Sequence, residues 1–367
     1  VPDIICFADV PADTARDRAA LEVAFARVLD SGRFVFGPEV AAFERELAWY
    51  LGSGPAFGVN TGTDALVMGL LALGTGPGDE IVTTGFTFIA TAESILRVGA
   101  KPVFADVDPA TLSITAATVE PVLTPRTRAI LLVEIYGHCA GLDEIVALCR
   151  DRRIALVEDS CQAIGSKWRG RRLGSIGDVG TFSFYPTKNL AALGDAGAVT
   201  ANRVELAPRI DALRHHGVDS SGRYATLGYS SRLGDLQAAF LRARLGELEA
   251  ENERRRAIAA RYDAAFAPLF RTLSIPPEVL SNRHQYALLL PGRDALRAHL
   301  QDNGVETATY YDVPCHLEPA IGLAPGSLPV TEQACREVVN LPIRASLADR
   351  EVDRIIELVV GFGKRRA

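Results

Sequence analysis

The chain has 367 residues, long enough to bury a large core and to divide into two domains. It is 48% hydrophobic and 23% charged, and its net charge of −6, with no long basic run, argues against a nucleic-acid footprint. No apolar run reaches the ~18–20 residues of a membrane span, and the opening "VPDIICFADVPADTARD" lacks the basic and apolar regions of an export signal, so a cytoplasmic protein is expected.

Along the chain, apolar strands are expected at 56–60, 80–84, 101–107, 129–136, 154–159, 179–185 and 197–201. Helical stretches such as "TDALVMGLLALG", "ATAESILRVG" and "LDEIVALCRDR" separate several of them. Continuous apolar strands alternating with helices predict an α/β architecture, a mostly parallel sheet covered on both faces. "GSKWRGRRLG" interrupts the pattern as a hairpin with Arg169-Gly170 at its turn. From 234 to 266 the apolar residues recur three and four apart, which predicts one long connecting helix. Its basic run "ERRRAIAARY" follows several glutamates and reads as a solvated face. Helices are expected at "DALRAHLQDNG" and "DREVDRIIELVVGF". The organisation is therefore a large α/β domain over 1–233, the connecting helix, and a smaller α+β domain over 267–367.

In open α/β sheets, ligands bind beyond the carboxyl ends of the strands, so the polar residues at those ends are the candidates for chemistry. "GVNTGTDAL" leads a strand into a helix through Gly62 and Thr63, which offers free amides and a hydroxyl for a phosphate, or simply a capped helix start. Phe88 follows the next strand end and either stacks on a planar ligand or fills core. Asp159, with Gln162 close behind, ends an apolar strand, where a carboxylate is costly unless it is partnered. "TFSFYPTKNL" then supplies Ser183 and Lys188. Lys188 is one of only four lysines among 39 cations, and a lysine amine can form an imine where a guanidinium cannot.

Together these parts match the needs of pyridoxal phosphate: an amine for a Schiff base, a carboxylate for the ring nitrogen, an anion cradle and a flat cover. The six cysteines are scattered without metal-ligand spacing, so reduced thiols and no metal are expected. His215, His216 and His316 likewise lack partners at ligand spacing, although His316 falls near the expected substrate pocket.

The segments "NTGTDAL", "VEDSCQAIGS", "GDVGTFSFYPTKNL", "GYSSRLGDLQAAFLRARL" and "LPVTEQACREVVNLPI", among others, resemble the DegT/DnrJ/StrS sugar aminotransferases, of the aspartate aminotransferase superfamily. The resemblance covers nearly the whole chain. It implies the fold type I architecture of pyridoxal-phosphate enzymes, with a mostly parallel seven-stranded sheet and a small C-terminal α+β domain. It further implies that Lys188 carries the cofactor as a Schiff base, Asp159 pairs with the ring nitrogen, and Gln162 bonds the ring hydroxyl. By the same resemblance Gly62, Thr63 and Ser183 hold the phosphate, Phe88 stacks on the ring, and two subunits of a homodimer share each site. Where the family commonly has an asparagine reaching the partner's phosphate, this sequence has Ser230. Glu134 stands where histidine is frequent, and Tyr310 and Asp312 replace a common "HYP", which makes Tyr310 and His316 candidate substrate contacts. "YPTKNLAALGDAGA" is similar to the branch that aminates C3 of nucleotide-linked 3-keto-6-deoxyhexoses. The implied reaction is a ping-pong transfer from L-glutamate to a nucleotide sugar, dTDP-linked by that resemblance, through the pyridoxamine form of the cofactor. The alternatives are a 4-keto nucleotide-sugar or keto-cyclitol aminotransferase, and a non-catalytic regulatory protein that retains the cofactor.

Overall fold

The computed structural model describes residues 4–365, so the outermost residues of the two expected domains lie outside it. Helices α1 (Val10–Ser31) and α2 (Pro38–Leu51) precede β1 (Ala56–Val59), α3 (Gly62–Ala72), β2 (Glu80–Thr84), α4 (Ile89–Arg97) and β3 (Lys101–Ala105). The chain continues through α5 (Ala116–Val119), β4 (Thr127–Val133), α6 (Leu142–Arg152), β5 (Ala155–Asp159), β6 (Lys167–Trp168), β7 (Arg171–Arg172), β8 (Val179–Ser183) and β9 (Gly197–Ala201). There follow α7 (Ala207–Arg214), α8 (Asp235–Leu245), α9 (Leu248–Phe266), β10 (Arg271–Thr272), β11 (Val279–Leu280), β12 (Tyr286–Leu289) and α10 (Arg293–Asp302). The last elements are α11 (Pro329–Glu337), β13 (Val338–Leu341) and α12 (Asp349–Lys364).

All seven expected strands enter one seven-stranded sheet, in the order β1-β9-β8-β5-β4-β2-β3. The pairs β2 with β3, β2 with β4, β4 with β5, and β5 with β8 are parallel, and β9 runs antiparallel to both of its neighbours. Both faces are covered, as the apolar runs require. In β4, Ile130 and Leu132 face the core under α6, while Ala129 and Leu131 face the core built with α3 and α7, the period of two expected of a strand. The hairpin also forms: Arg169 and Gly170 both have positive φ, at 46° and 84°, as a tight two-residue turn demands.

Two expectations are corrected. The strand expected to run through 136 ends at Val133, and Ile135–Gly137 form a short 3-10 turn in which Tyr136 takes φ 55°. The backbone N–H of Tyr136 leaves the sheet to donate to Gln162 Oε1 at 2.8 Å. The single helix expected over 234–266 is two helices, α8 and α9, broken at Gly246 and Glu247. Glycine costs about 1 kcal/mol in a helix interior, and here the Glu247 N–H bonds the Arg244 carbonyl three residues back at 3.1 Å, tightening and ending the first helix. The break separates two packing environments, because α8 lies on α1 and α2 whereas α9 lies on α12 and β10.

The C-terminal part has its own sheet, β10-β12-β13, and its own core. That core gathers Tyr262, Phe266, Leu288, Leu296 and Ile355, and it takes in Ile5 from the other end of the chain, which bridges to Val305. Among the described residues, no helix is long and apolar enough to cross a membrane.

Candidate active site

A cavity of about 480 Å³ opens at the carboxyl ends of β4, β5 and β8. Its wall contains Gly62, Thr63, Phe88, Asp159, Gln162, Ser183, Lys188 and Tyr310, which brings together eight of the ten residues singled out from the sequence. The sheet explains why. Asp159 is the last residue of β5 and pairs with Thr181 of β8, so Ser183, two residues on and the last of β8, emerges at the same end of the sheet, and Lys188 follows one turn after β8 ends.

Asp159 is 5% exposed and held from two directions. Thr91 Oγ1 donates to its Oδ2 at 2.9 Å, and the Cys161 backbone N–H donates to its Oδ1 at 3.3 Å. Thr87 in turn bonds Thr91, hydroxyl to hydroxyl, at 2.8 Å. These donors hold the carboxylate as an acceptor aimed into the cavity.

Lys188 faces the cavity from a tight turn in which its N–H donates to the Tyr185 carbonyl at 2.8 Å. Burial lowers the proton affinity of its amine, opposed by the neighbouring Cys161 and Asp159. A lysine so placed has more of the neutral, nucleophilic amine at neutral pH than one in water.

The N-terminus of α3 is the part of the wall that can hold an anion. Thr61 caps the helix by accepting the Asp64 N–H at 2.9 Å, leaving the first amides of the helix, at Gly62 and Thr63, free to point at a ligand. Position 62 admits only glycine: a Cβ there would stand 2.6 Å from Ser183 Cβ and 3.2 Å from Cys161 Sγ. The helix end therefore lies directly against the Ser183 side chain, and both can reach one phosphate.

Gln162 is fixed at both ends of its amide, with Oε1 on the Tyr136 N–H and Nε2 donating to Tyr311 OH at 3.0 Å. Phe88 precedes α4 and is 56% exposed, with its ring 6.3 Å from that of Tyr311. An apolar ring left this open at a cavity wall is not core, and it is placed where it can cover a planar ligand.

Two expected contacts lie elsewhere. His316 is fully buried outside the cavity, with Nε2 3.3 Å from Glu332 Oε1 and its ring packed beneath Gly85, so no substrate reaches it. Ser230 is exposed, accepts a bond from Arg232 at 2.6 Å, and does not line the cavity of its own chain. The sequence reading missed Thr87, Thr91, Cys161, Tyr185, Thr187, Asp195, His284, Gln285 and Tyr311. Of these, His284 is tied by Nδ1 to Asn189 Oδ1 at 2.8 Å, and burial beside Lys188 keeps it well below the usual histidine range, hence neutral. Of the missed residues, Cys161, Tyr185 and Thr187 fall inside the segments "VEDSCQAIGS" and "GDVGTFSFYPTKNL", so their neighbourhood was legible although their place in the wall was not.

These residues fit pyridoxal phosphate on their own geometry: a desolvated amine, a buried carboxylate, a helix-end cradle that a Cβ would fill, and an exposed ring. The comparisons with known proteins agree. A dTDP-3-amino-3,4,6-trideoxy-alpha-D-glucose transaminase from Streptomyces venezuelae is 42% identical over 365 residues, covering 98% of this chain and 96% of that protein. A protein of Geobacillus stearothermophilus described as a pleiotropic regulatory protein is 38% identical over 361 residues, covering 95% of this chain and 97% of its own. The crystal structure of S. venezuelae DesV with a ketimine intermediate superposes with a TM-score of 0.96 at 40% identity, covering 99% of each chain. One Streptococcus pneumoniae protein, described as a putative sugar aminotransferase and solved in PMP and PLP forms, superposes with a TM-score of 0.89 at 27% identity, covering 95% of this chain and 96–97% of its own. The model of the DegT/DnrJ/EryC1/StrS aminotransferase family matches residues 16–360, and this chain belongs to that family.

Proposed function

We propose that this protein is a pyridoxal-phosphate-dependent aminotransferase that moves an amino group from L-glutamate to C3 of a nucleotide-linked 3-keto-6-deoxyhexose. The observation that carries the reading is the convergence of Lys188, Asp159 and the Gly62–Thr63–Ser183 cradle on one cavity. The run "YPTKNLAALGDAGA" and the 3-amino product named for the Streptomyces relative support the C3 position and a dTDP carrier.

The bound cofactor supplies an aldehyde carbon for covalent capture of the amine and a ring that accepts the electron pair left when a proton departs. Around it each residue has a task set by its surroundings. Asp159, with its oxygens oriented by the Thr91 and Cys161 donors, would face the ring nitrogen and hold a proton there. Lys188 would hold the cofactor through its amine and, once freed by the donor amine, would carry a proton from the donor α-carbon to the cofactor carbon across the shared nitrogen, as general base and then acid. Its lowered proton affinity suits both tasks. The amides at 62 and 63 and the Ser183 hydroxyl bind the phosphate, Gln162 orients the ring hydroxyl, and Phe88 covers the ring face. In the second half of the reaction the same groups run in reverse on the keto sugar, with Tyr310 at the sugar side of the cavity.

The site is shared in a homodimer on this reading. Exposed apolar side chains at the cavity, Phe88 and Tyr185, and on the segment carrying Ser230, Tyr224 and Leu227, provide the surface that a second copy covers. Ser230 then approaches the phosphate of the partner's site.

Borohydride reduction of the purified enzyme followed by peptide mass analysis is expected to fix the cofactor on the Lys188 peptide. L-Glutamate added beforehand is expected to prevent the fixation and yield 2-oxoglutarate. The regulatory name of the Geobacillus relative motivates a second reading, a sensor that binds the cofactor without turnover. Fixation at Lys188 without 2-oxoglutarate favours that reading, and fixation at no lysine overturns both.

A further inference from the structure

A second buried acid stands beside Asp159 and has no task in the reaction as derived. Glu134 follows β4 directly, and its backbone N–H donates to the Asp159 carbonyl at 3.1 Å. Its side chain has 0% exposure, and no N–H or O–H donor is aligned with either carboxyl oxygen. Glu158, also at 0% exposure, has the opposite surroundings. The backbone N–H groups of Gly174, Ile176 and Gly177 converge on it at 2.8, 2.7 and 2.6 Å. Three donors on one carboxyl are the surroundings of an anion.

Two adjoining buried carboxyls cannot both be ionised at bearable cost, and the proton goes to the one without donors. The titratable groups facing Glu134 are Glu158 and Asp159 of β5 and, on its own segment, Cys139 and His138. Burial raises its proton affinity well above the ordinary range, and Glu158 and then Asp159 raise it further against a smaller opposing pull from the Ser160 hydroxyl. The Cys139 thiol is itself pushed up by burial, and burial pulls His138 down to about 4, so it brings no positive charge. Among the described residues no lysine or arginine side chain bonds either carboxyl oxygen of Glu134.

We propose that Glu134 is a neutral carboxylic acid that donates its proton as a hydrogen bond to Glu158, and that this acid–carboxylate pair is the positioning element that fixes the β5 end carrying Asp159. The brace ties three pieces together: the turn after β4, the end of β5, and the 174–177 turn that leads into β8. An ionised Glu134 would repel both neighbours and loosen that junction. The consequence for catalysis rests on Asp159 being the ring-nitrogen partner, whereas the protonation itself does not.

Infrared difference spectra between the wild type and Glu134→Gln, with and without cofactor, read the proton directly. The wild type at neutral pH is expected to show a protonated-carboxyl C=O band that shifts in D2O and is missing from the variant, and a wild type without that band overturns the proposal. Unfolding of the cofactor-free full chain gives a second readout. A raised folded-state pKa means that the stabilisation by Glu134 is complete below its unfolded value near 4.5 and is lost as pH rises toward the folded value. The ratio of wild-type to Glu134→Gln unfolding constants should therefore climb about tenfold per pH unit above that point, and a flat ratio overturns the proposal. Glu134→Gln, which can still donate to Glu158, is expected to keep the pH profile of the cofactor absorbance, and Glu134→Ala to displace it. Equal profiles in the two variants overturn the positioning role. A colourless wild type with the infrared band would defeat the cofactor reading alone.

Discussion

Asp159 depends on groups brought from elsewhere in the chain. Its Oδ2 takes the hydroxyl of Thr91, 68 residues earlier, and that hydroxyl is itself oriented by Thr87. Thr91→Val keeps the shape and removes the donor, leaving a buried carboxylate oxygen unpaired at a cost of roughly 1–3 kcal/mol. Cofactor affinity is expected to fall about ten- to hundredfold by equilibrium titration, and unchanged affinity would show that the Cys161 amide suffices. The same scale explains which side chains were legible. Asp159 and Lys188 stood out because a charged group at the end of an apolar run needs a reason. Thr91 did not, since a threonine on a helix is ordinary until a strand end is placed 2.9 Å away. His316 misled for the converse reason: Tyr310 and Tyr311, five and six residues earlier, line the site, yet the His316 side chain turns under Gly85.

Between elements, glycine decides two boundaries in opposite ways. At the α3 N-terminus, alanine in place of Gly62 gains about 1 kcal/mol of helix propensity but forces a contact at 2.6 Å against Ser183. Overpacking of that kind costs about 1–3 kcal/mol, so Gly62→Ala is expected to lower the melting temperature slightly and phosphate affinity strongly. At Gly246 the backbone has φ −64° and no atom stands within 4 Å of the place a Cβ would take, so Gly246→Ala is expected to stabilise the protein by about 0.4–1 kcal/mol in denaturant titrations, with activity unchanged. That break was hidden in the sequence because the apolar period continues across it. The seven strands were legible because they are short apolar runs, mostly buried on both faces, with the edge strand β3 and its exposed Lys101 the exception. Helix α1 was not, since it buries only Leu21, Ala24 and Val28 while Val23, Phe25 and Leu29 lie exposed and blur the period.

At the scale of the whole molecule, a core on each face of the large sheet and a third in the C-terminal part have to be assembled. The α/β layering and a separate C-terminal sheet followed from pattern alone, whereas the return of Ile5 to the C-terminal core depends on a pairing 300 residues apart that no local pattern encodes. Sharing between subunits is tested by mixing two variants, Lys188→Ala and Ser230→Trp, each expected to be inactive alone. Random reassociation of a two-fold dimer should restore roughly a quarter of the sites, and no recovery would show that each chain completes its own. The central claim, amination at C3 through this cavity, is tested most directly by the half-reaction in reverse. The pyridoxal form of the enzyme is mixed with dTDP-linked 3-amino- and 4-amino-6-deoxyhexoses and with an amino-cyclitol, and its absorbance is followed. Conversion to the pyridoxamine spectrum with the 3-amino sugar, far faster than with the other two, is the predicted result, and conversion with the 4-amino sugar or the cyclitol alone would contradict it.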